Sequence, residues 1–480
     1  MRNILLIIGG LVITVLISMG AFVYPGVRDA GYQGAGFVAK NICSGHFVSG
    51  MPVDQVIAEA IAPIDTSLGE MNVTVDEDAG TVDGDIYGLF ARRAVRVPGA
   101  GCALVVPGAE APEFVITELD TPTPTNQPWP LGEGPIDRTM LGVDYDALNA
   151  AIEDAFTDID PDRPRNTKAI AVIWRGTLIA EHYDDGIDAA TPLISWSMAK
   201  SVTNAQLALL YGREEVDLFG TFDVSEWQGQ NEDGENDPRA EITLDQMLRM
   251  SSGLHFDETY AVGSEVTRML SHEADAGAFA ANMPLEHEPG EVWYYSSGTS
   301  NILSRLIRQT VGGATQDHYE FAQRELFWPL HAYSFVQEAD PSGTFIGSSY
   351  VYASARDWAR LGQLFLQDGV WAGNRLLPRG WVDYSRTATP NNPQRNYGAH
   401  FWLNQEPLEG YEVVDGYPAP IWPDVPRDAY SMNGFQGQHV VIVPSQDLVV
   451  VRLGFAGDYL GTGMNELVAG AIEAVNSESQ

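Results

Sequence analysis

The tetrapeptide Ser197-Met198-Ala199-Lys200 sets a nucleophile and a base three residues apart. On a helix that spacing puts both side chains on one face, within contact. A serine hydroxyl attacks a carbonyl well only when something takes its proton. A lysine kept neutral by burial can take it. The backbone N–H of Ser197, in a first helical turn, can also face a developing oxyanion. This chain nearly avoids lysine: Lys40, Lys168 and Lys200 are the only three among 27 basic residues, and the rest are arginine, which accepts no proton. With 26 serines in 480 positions, three lysines yield about 0.16 chance matches to Ser-x-x-Lys, so the tetrapeptide alone decides nothing.

Two later segments carry compatible chemistry. Tyr295-Ser296-Ser297-Gly298 begins 98 residues after Ser197 and can present a phenol and a hydroxyl from a tight loop before a helix over Thr299 to Gln309. Asn433-Gly434-Phe435-Gln436-Gly437-Gln438 precedes the last apolar hairpin, and its glycines allow backbone to approach a ligand closely. Other chemistries lack their patterns. There is no Gly-x-Ser-x-Gly elbow and no His-Glu-x-x-His, and the nine histidines are scattered. No metal site or cofactor is expected.

The elements that must position these residues are legible in outline. Ser197 to Tyr211 reads as a helix. Ala169 to Tyr183 reads as two strands turning at Arg175-Gly176, and His439 to Leu453 as a second hairpin turning at Pro444 to Asp447. Helices are expected at Tyr145 to Phe156 and at about 464–476. Thr243-Leu244-Asp245-Gln246 is a capping box whose helix stops by Gly253. Hairpins at both ends with helices between predict an α+β domain over 141–480, one antiparallel sheet flanked by an all-helical region. Before it, 35–110 reads as a small α+β module, with helical spacing over Met51 to Ile64 and strands at Asn72 to Val75, Gly88 to Val97 and Cys102 to Val106. The stretch 111–140 reads as a proline-rich linker or wrapping arm; seven prolines fall between Pro107 and Pro135.

The order Ser-x-x-Lys, then Tyr-x-Ser, then a glycine-bearing motif on a late strand resembles the serine β-lactamase and penicillin-binding-protein superfamily. Trp196 to Ser201, Trp293 to Gly298 and Gly434 to Gln438 are most similar to the 6-aminohexanoate-dimer hydrolases, with class C β-lactamases and family VIII carboxylesterases as near relatives. Leu248 to Leu254 and Ala355 to Arg360 share in the likeness, which covers about 145–455. The resemblance implies a β-lactamase-like fold and a serine hydrolase of small amides or esters. It implies Ser197 as the acylated nucleophile, Lys200 as its base, Tyr295 as proton shuttle and Ser297 as support. The N–H groups of Ser197 and Phe435 would form the oxyanion hole, with Asn433, Gly434 and Gln436 on the substrate side. The chain departs from the pattern in two places. Met432-Asn433-Gly434 stands where relatives carry a Lys- or His-bearing triplet that grips a substrate carboxylate, and Tyr295-Ser296-Ser297 lacks the asparagine of Tyr-x-Asn. Both favour linear amides or esters over β-lactams. The alternatives are a carboxylesterase, a class C-like β-lactamase, or a catalytically inactive relative that only binds ligands.

Composition narrows the setting. A net charge of −38 opposes nucleic acid and adhesion to anionic lipid. After Arg2 comes an uncharged, mostly apolar run from Ile4 to Tyr24, long enough to span a bilayer. It predicts an inner-membrane anchor through residues 4–24, within a segment 1–34, with the body on the periplasmic side; a cleaved signal ending near Ser18-Met19-Gly20 is the alternative. Cys43 and Cys102, the only two cysteines, are expected to pair there, worth ~4 kcal/mol in the chain-entropy model. The oligomeric state is not readable.

Overall fold

The computed structural model describes residues 26–106, 111–136, 138–229, 234, 236–411, 418–457 and 461–476; the apolar segment 4–24 lies outside them. Among the described residues no helix is long and apolar enough to cross a membrane.

The chain enters as a helix over 26–47, α1, so the boundary expected at 34/35 falls inside one continuous element. Five glycines, Gly26 to Gly45, hid this helix, since each is a poor helix former. At least one of them is needed for packing: a Cβ on Gly36 would stand 2.4 Å from the Ser271 carbonyl oxygen. The expected helix over Met51 to Ile64 is a short α-turn at Val53–Gln55 running into a π-helical turn at Val56–Ile61. A four-stranded antiparallel sheet follows, in the order β1 (Asn72–Asp76), β2 (Thr81–Ile86), β3 (Leu89–Arg96), β4 (Cys102–Leu104). Of these, β2 went unread, because Asp83-Gly84-Asp85 breaks its apolar pattern.

The main sheet has six antiparallel strands. The first hairpin is β5 (Thr167–Trp174) and β6 (Thr177–Tyr183), joined through Arg175 and Gly176, whose φ values of 49° and 73° make the turn that matches strand twist. The others are β7 (Trp402–Leu403), β8 (Tyr430–Gly434), β9 (Gln438–Val443) and β10 (Leu448–Gly454), in the order β7-β8-β9-β10-β5-β6. Successive side chains alternate between faces. Ala169, Ala171, Ile173, Val449 and Val451 join the large core shared with the helical region. Ile170, Val172, Trp174 and Val450 pack under α2 (Tyr145–Phe156) and the closing C-terminal helix (Met464–Asn476). Both faces are covered, so these strands read as unbroken apolar runs.

Within the helical region, α3 (Ala199–Gly212) is buried along almost its whole length, and α4 (Ser297–Thr310) packs beside it. The N-terminal segments are clamped onto this body. Lys40 of α1 pairs with Glu338, Lys168 of β5 reaches Glu59 at 2.8 Å, and Cys43 is disulfide-bonded to Cys102. The proline-rich stretch carries neither helix nor strand over 111–136. Trp129 is buried there, and Arg360 donates to the carbonyls of Pro130 (3.0 Å) and Gly132 (2.9 Å).

Candidate active site

Three segments of the body meet at the mouth of α3. The nucleophile segment is not the opening of an α-helix: Trp196–Met198 form a 3-10 turn, and the α-helix starts at Ala199. Trp196 has φ 45°, an uncommon conformation for a bulky residue, of the kind that clusters at functional sites. Its ring is locked from several sides, stacked on Phe37 of α1 (centroids 6.2 Å apart, planes at 11°) and edge-on to Phe435. Strand β8 arrives next to this turn, and only glycine fits where it does: a Cβ on Gly434 would stand 2.1 Å from the Ser195 carbonyl oxygen. That close approach carries Phe435 to the same cavity as Ser197.

The third segment is the N-terminus of α4. Lys200 Nζ lies 3.1 Å from Ser197 Oγ, 3.0 Å from Ser297 Oγ and 3.2 Å from the Ser348 carbonyl oxygen. The Tyr295 hydroxyl bonds to Ser197, and its ring lies under the Lys200 ammonium at 4.7 Å. Ser297 in turn donates its N–H (2.8 Å) and hydroxyl (2.5 Å) to the carboxylate of Glu258. The result is a continuous chain from Ser197 through Lys200 and Ser297 to Glu258.

Burial sets the proton affinities along this chain. It pulls Lys200 down to about 8, with the Glu258 charge opposing the fall. It pushes Glu258 up, against the pull of Lys200. Tyr295 is raised well above the usual phenol range, by burial first and then by Tyr397 and Glu258, so it is a neutral phenol near pH 7. A lysine near 8 holds a usable fraction of neutral amine at mild pH, which a solvated lysine does not.

The sequence-predicted residues sort into four groups. Ser197, Lys200, Tyr295 and Ser297 are joined as above. Asn433, Gly434 and Phe435 border the cavity of about 290 Å³ that opens on Ser197, while Met432 turns into the core. Gln436 is not on the substrate side. Its residue is 2 % exposed, and its side chain accepts from Trp196 Nε1 (3.1 Å) and donates to the Ala60 carbonyl (3.0 Å), tying the nucleophile turn to the N-terminal module. The backbone left-handed turn at Gln436 (φ 58°) aims it away. Cys43 and Cys102 are bonded in the N-terminal module.

Sequence reasoning missed Glu258 and Tyr260. Both lie on a loop with no motif, and Glu258 is one of 65 acidic residues. Tyr260 stacks on Phe435 (5.5 Å, planes at 8°) and its hydroxyl bonds to Ser349 and Ser297. His400, also unread, uses Nδ1 on the Lys200 carbonyl at 2.8 Å; burial takes it down to about 3, so it stays neutral and structural. Larger clefts of about 570 and 510 Å³ lie elsewhere and contain no lysine, so size does not locate the chemistry. Among the described residues no group of three or more His, Cys, Asp or Glu is placed to hold a metal.

Known proteins resemble this chain in sequence and in fold. The beta-lactamase family model matches residues 152–454. The 6-aminohexanoate-dimer hydrolase of Paenarthrobacter ureafaciens is 25 % identical over 312 residues, 60 % of this chain and 72 % of that protein. A Bacillus anthracis structure provisionally named a 6-aminohexanoate-dimer hydrolase superposes with a TM-score of 0.53 at 18 % identity, covering 77 % of this chain and 88 % of that one. EstCE1, a hydrolase with promiscuous acyltransferase activity, superposes with a TM-score of 0.51 at 14 % identity, covering 69 % and 98 %. The two superpositions speak for the fold, and the family match spans well over half of the chain. The chain therefore belongs to the beta-lactamase family and is a serine hydrolase.

Proposed function

We propose that this protein hydrolyses small linear amides or esters through an acyl-enzyme on Ser197. The observation that carries the reading is the contact between the buried, weakly basic Lys200 amine and the Ser197 hydroxyl. Neutral Lys200 takes the Ser197 proton as Oγ bonds to the substrate carbonyl carbon. The oxyanion forms beside the backbone N–H groups of Ser197 and Phe435. Collapse breaks the bond to the leaving alcohol or amine, which receives its proton through the Tyr295 hydroxyl, replenished from Lys200. Water then attacks the acyl carbon, gives its proton to the same relay, and releases the acid and free Ser197. Ser297 holds Lys200 in place and links it to Glu258.

The cavity also bears on substrate choice. A β-lactam presents a carboxylate beside the scissile bond, and the walls near Ser197 offer Asn433 and Phe435 together with the carboxylate of Glu258, with no arginine among the described lining residues. Loss of a charge-assisted bond costs ~1.5–3 kcal/mol, about tenfold to a hundredfold in kcat/KM. The family relative's name makes a 6-aminohexanoate dimer one amide to try. Measuring kcat/KM for a short ester, that dimer and a chromogenic cephalosporin on one preparation tests the reading; a preferred cephalosporin would replace it with a β-lactamase. Fluorophosphonate labelling at Ser197 separates either enzyme from an inactive binder.

The setting belongs to the same proposal. Segment 4–24 anchors the body on the periplasmic side, a reading supported by its uncharged, mostly apolar run and by the Cys43–Cys102 pair, which suits an oxidising compartment. Retention in the membrane fraction after carbonate washing, with the N-terminal peptide intact, is the expected result. A mature chain beginning near Ala21 would mean signal cleavage instead.

A further inference from the structure

Beside the catalytic cavity lies a second one, of about 240 Å³, between α1 and the body. The two share Tyr260 and Phe435, so this stacked pair borders both and the cavities are adjacent. The far side is apolar: Phe37 of α1, Ile64 and Leu68 of the N-terminal module, and Leu270. Its polar groups are mostly engaged already. Gln33 accepts from the Gly263 N–H (3.0 Å), Thr267 donates to the Ala261 carbonyl (2.9 Å), and Asp65 accepts from Ser67 (2.8 Å). Tyr350 keeps a hydroxyl without a partner among the described residues. A charged or strongly hydrated group would gain little here, whereas apolar surface would leave water.

We infer that this cavity receives the apolar arm of the substrate, a linear acyl or alkyl chain attached to the carbonyl that Ser197 attacks. The inference rests on the proposed hydrolysis and names its substrate class. An apolar cavity of about 150 Å³ accepts a benzene, so this one suits a chain of about six to eight carbons. The nearness to Ser197 argues for substrate over a detached effector, since Phe435 lines both spaces and follows directly on the glycine that packs against the nucleophile turn. The N-terminal module, outside the stretch that the family model matches, would thereby supply half of a specificity pocket.

The test uses the full-length, detergent-solubilised protein and p-nitrophenyl esters from acetate to dodecanoate. Expected is a rise in kcat/KM of about fourfold per methylene, the equivalent of ~0.8 kcal/mol per buried CH2, that stops near octanoate. Val262→Trp, at an exposed rim position (71 % exposed), and Leu68→Trp, on the wall, should lower the octanoate-to-acetate ratio of kcat/KM at least tenfold. Should Leu68→Trp fail to fold, Val262→Trp decides. A wild type that prefers acetate, or a ratio unmoved in a folded Val262→Trp, overturns the inference. Absence of turnover of every ester, with no labelling of Ser197, would instead overturn the hydrolase reading.

Discussion

Two of the three lysines lie within the same fold, equally buried, and end in opposite chemistry. Lys40 is 2 % exposed and bonds directly to the Glu338 carboxylate, which also accepts from Ser44 (2.8 Å) and from the Cys102 N–H (2.7 Å). Lys200 is 1 % exposed, yet its amine touches two hydroxyls and a carbonyl, and the nearest partner carboxylate, Glu258, is reached through Ser297. Burial lowers the proton affinity of both. At Lys40 the direct contact with Glu338 opposes that fall and fastens α1 to the body. A hydroxyl interposed between amine and carboxylate weakens the attraction and leaves the amine free to exchange a proton with Ser197. On the proposed mechanism, the difference between a clamp and a base is one intervening side chain.

That contrast can be broken at several points. The largest effect should come from Ser197→Ala: a folded protein with turnover lost essentially completely, read in kcat/KM and in fluorophosphonate labelling. More than a few per cent of residual activity would contradict the acyl-enzyme. Lys200→Ala and Tyr295→Phe should each cost roughly 10²-fold or more, with a double mutant little worse than the poorer single, because a relay acts as a unit. Multiplicative losses would show two independent groups.

Lys40→Met should do the reverse. It strands a buried carboxylate, so folding stability should fall by ~3–5 kcal/mol while kcat/KM per folded molecule stays within a few-fold. Denaturant unfolding read beside kinetics checks this, and Lys200→Met, which removes a desolvated amine and no direct ion pair, is the control expected to lose activity without a comparable fall in stability.

The smallest effect is a shift in pH. On the proposed mechanism neutral Lys200 is the active form, so kcat/KM should rise with pH through about 8. Glu258→Gln removes the charge that supports the ammonium, so the rising limb should move to lower pH. Stability follows the same group. Its folded pKa of about 8 lies below the usual 10.5, so the cost of burying the charged amine is full below about 8 and fades as pH rises towards 10.5. An unmoved limb in Glu258→Gln would mean that Ser297 screens Glu258 from Lys200.

The legibility of the site follows the reach of its contacts. Ser197 and Lys200 could be found because their partnership is local, three residues along one turn, and the strands β5, β9 and β10 because their apolar runs are unbroken. The roles of Tyr295, Ser297 and Phe435 came only through resemblance, since no spacing rule links residues 98 or more apart. Glu258 and Tyr260 had no mark of either kind: their roles come from a loop laid across the mouth of α3. Gln436 was placed on the wrong side because the left-handed turn that reverses its side chain is a tertiary choice.

The sequence by itself determined which groups have the chemistry: one Ser-x-x-Lys in a chain of three lysines, a late glycine strand without a cation, and two cysteines able to pair. Local propensity and apolar runs carried the hairpins, and helical periodicity the helices that hold them. Only the tertiary structure decided that α1 folds against the Trp196–Met198 turn, that Glu258 faces Lys200 through Ser297, and that one buried lysine meets its carboxylate directly while the other meets it across a hydroxyl. Those outcomes depend on desolvation and on distances between segments far apart in the chain, and both exist only once the core has closed.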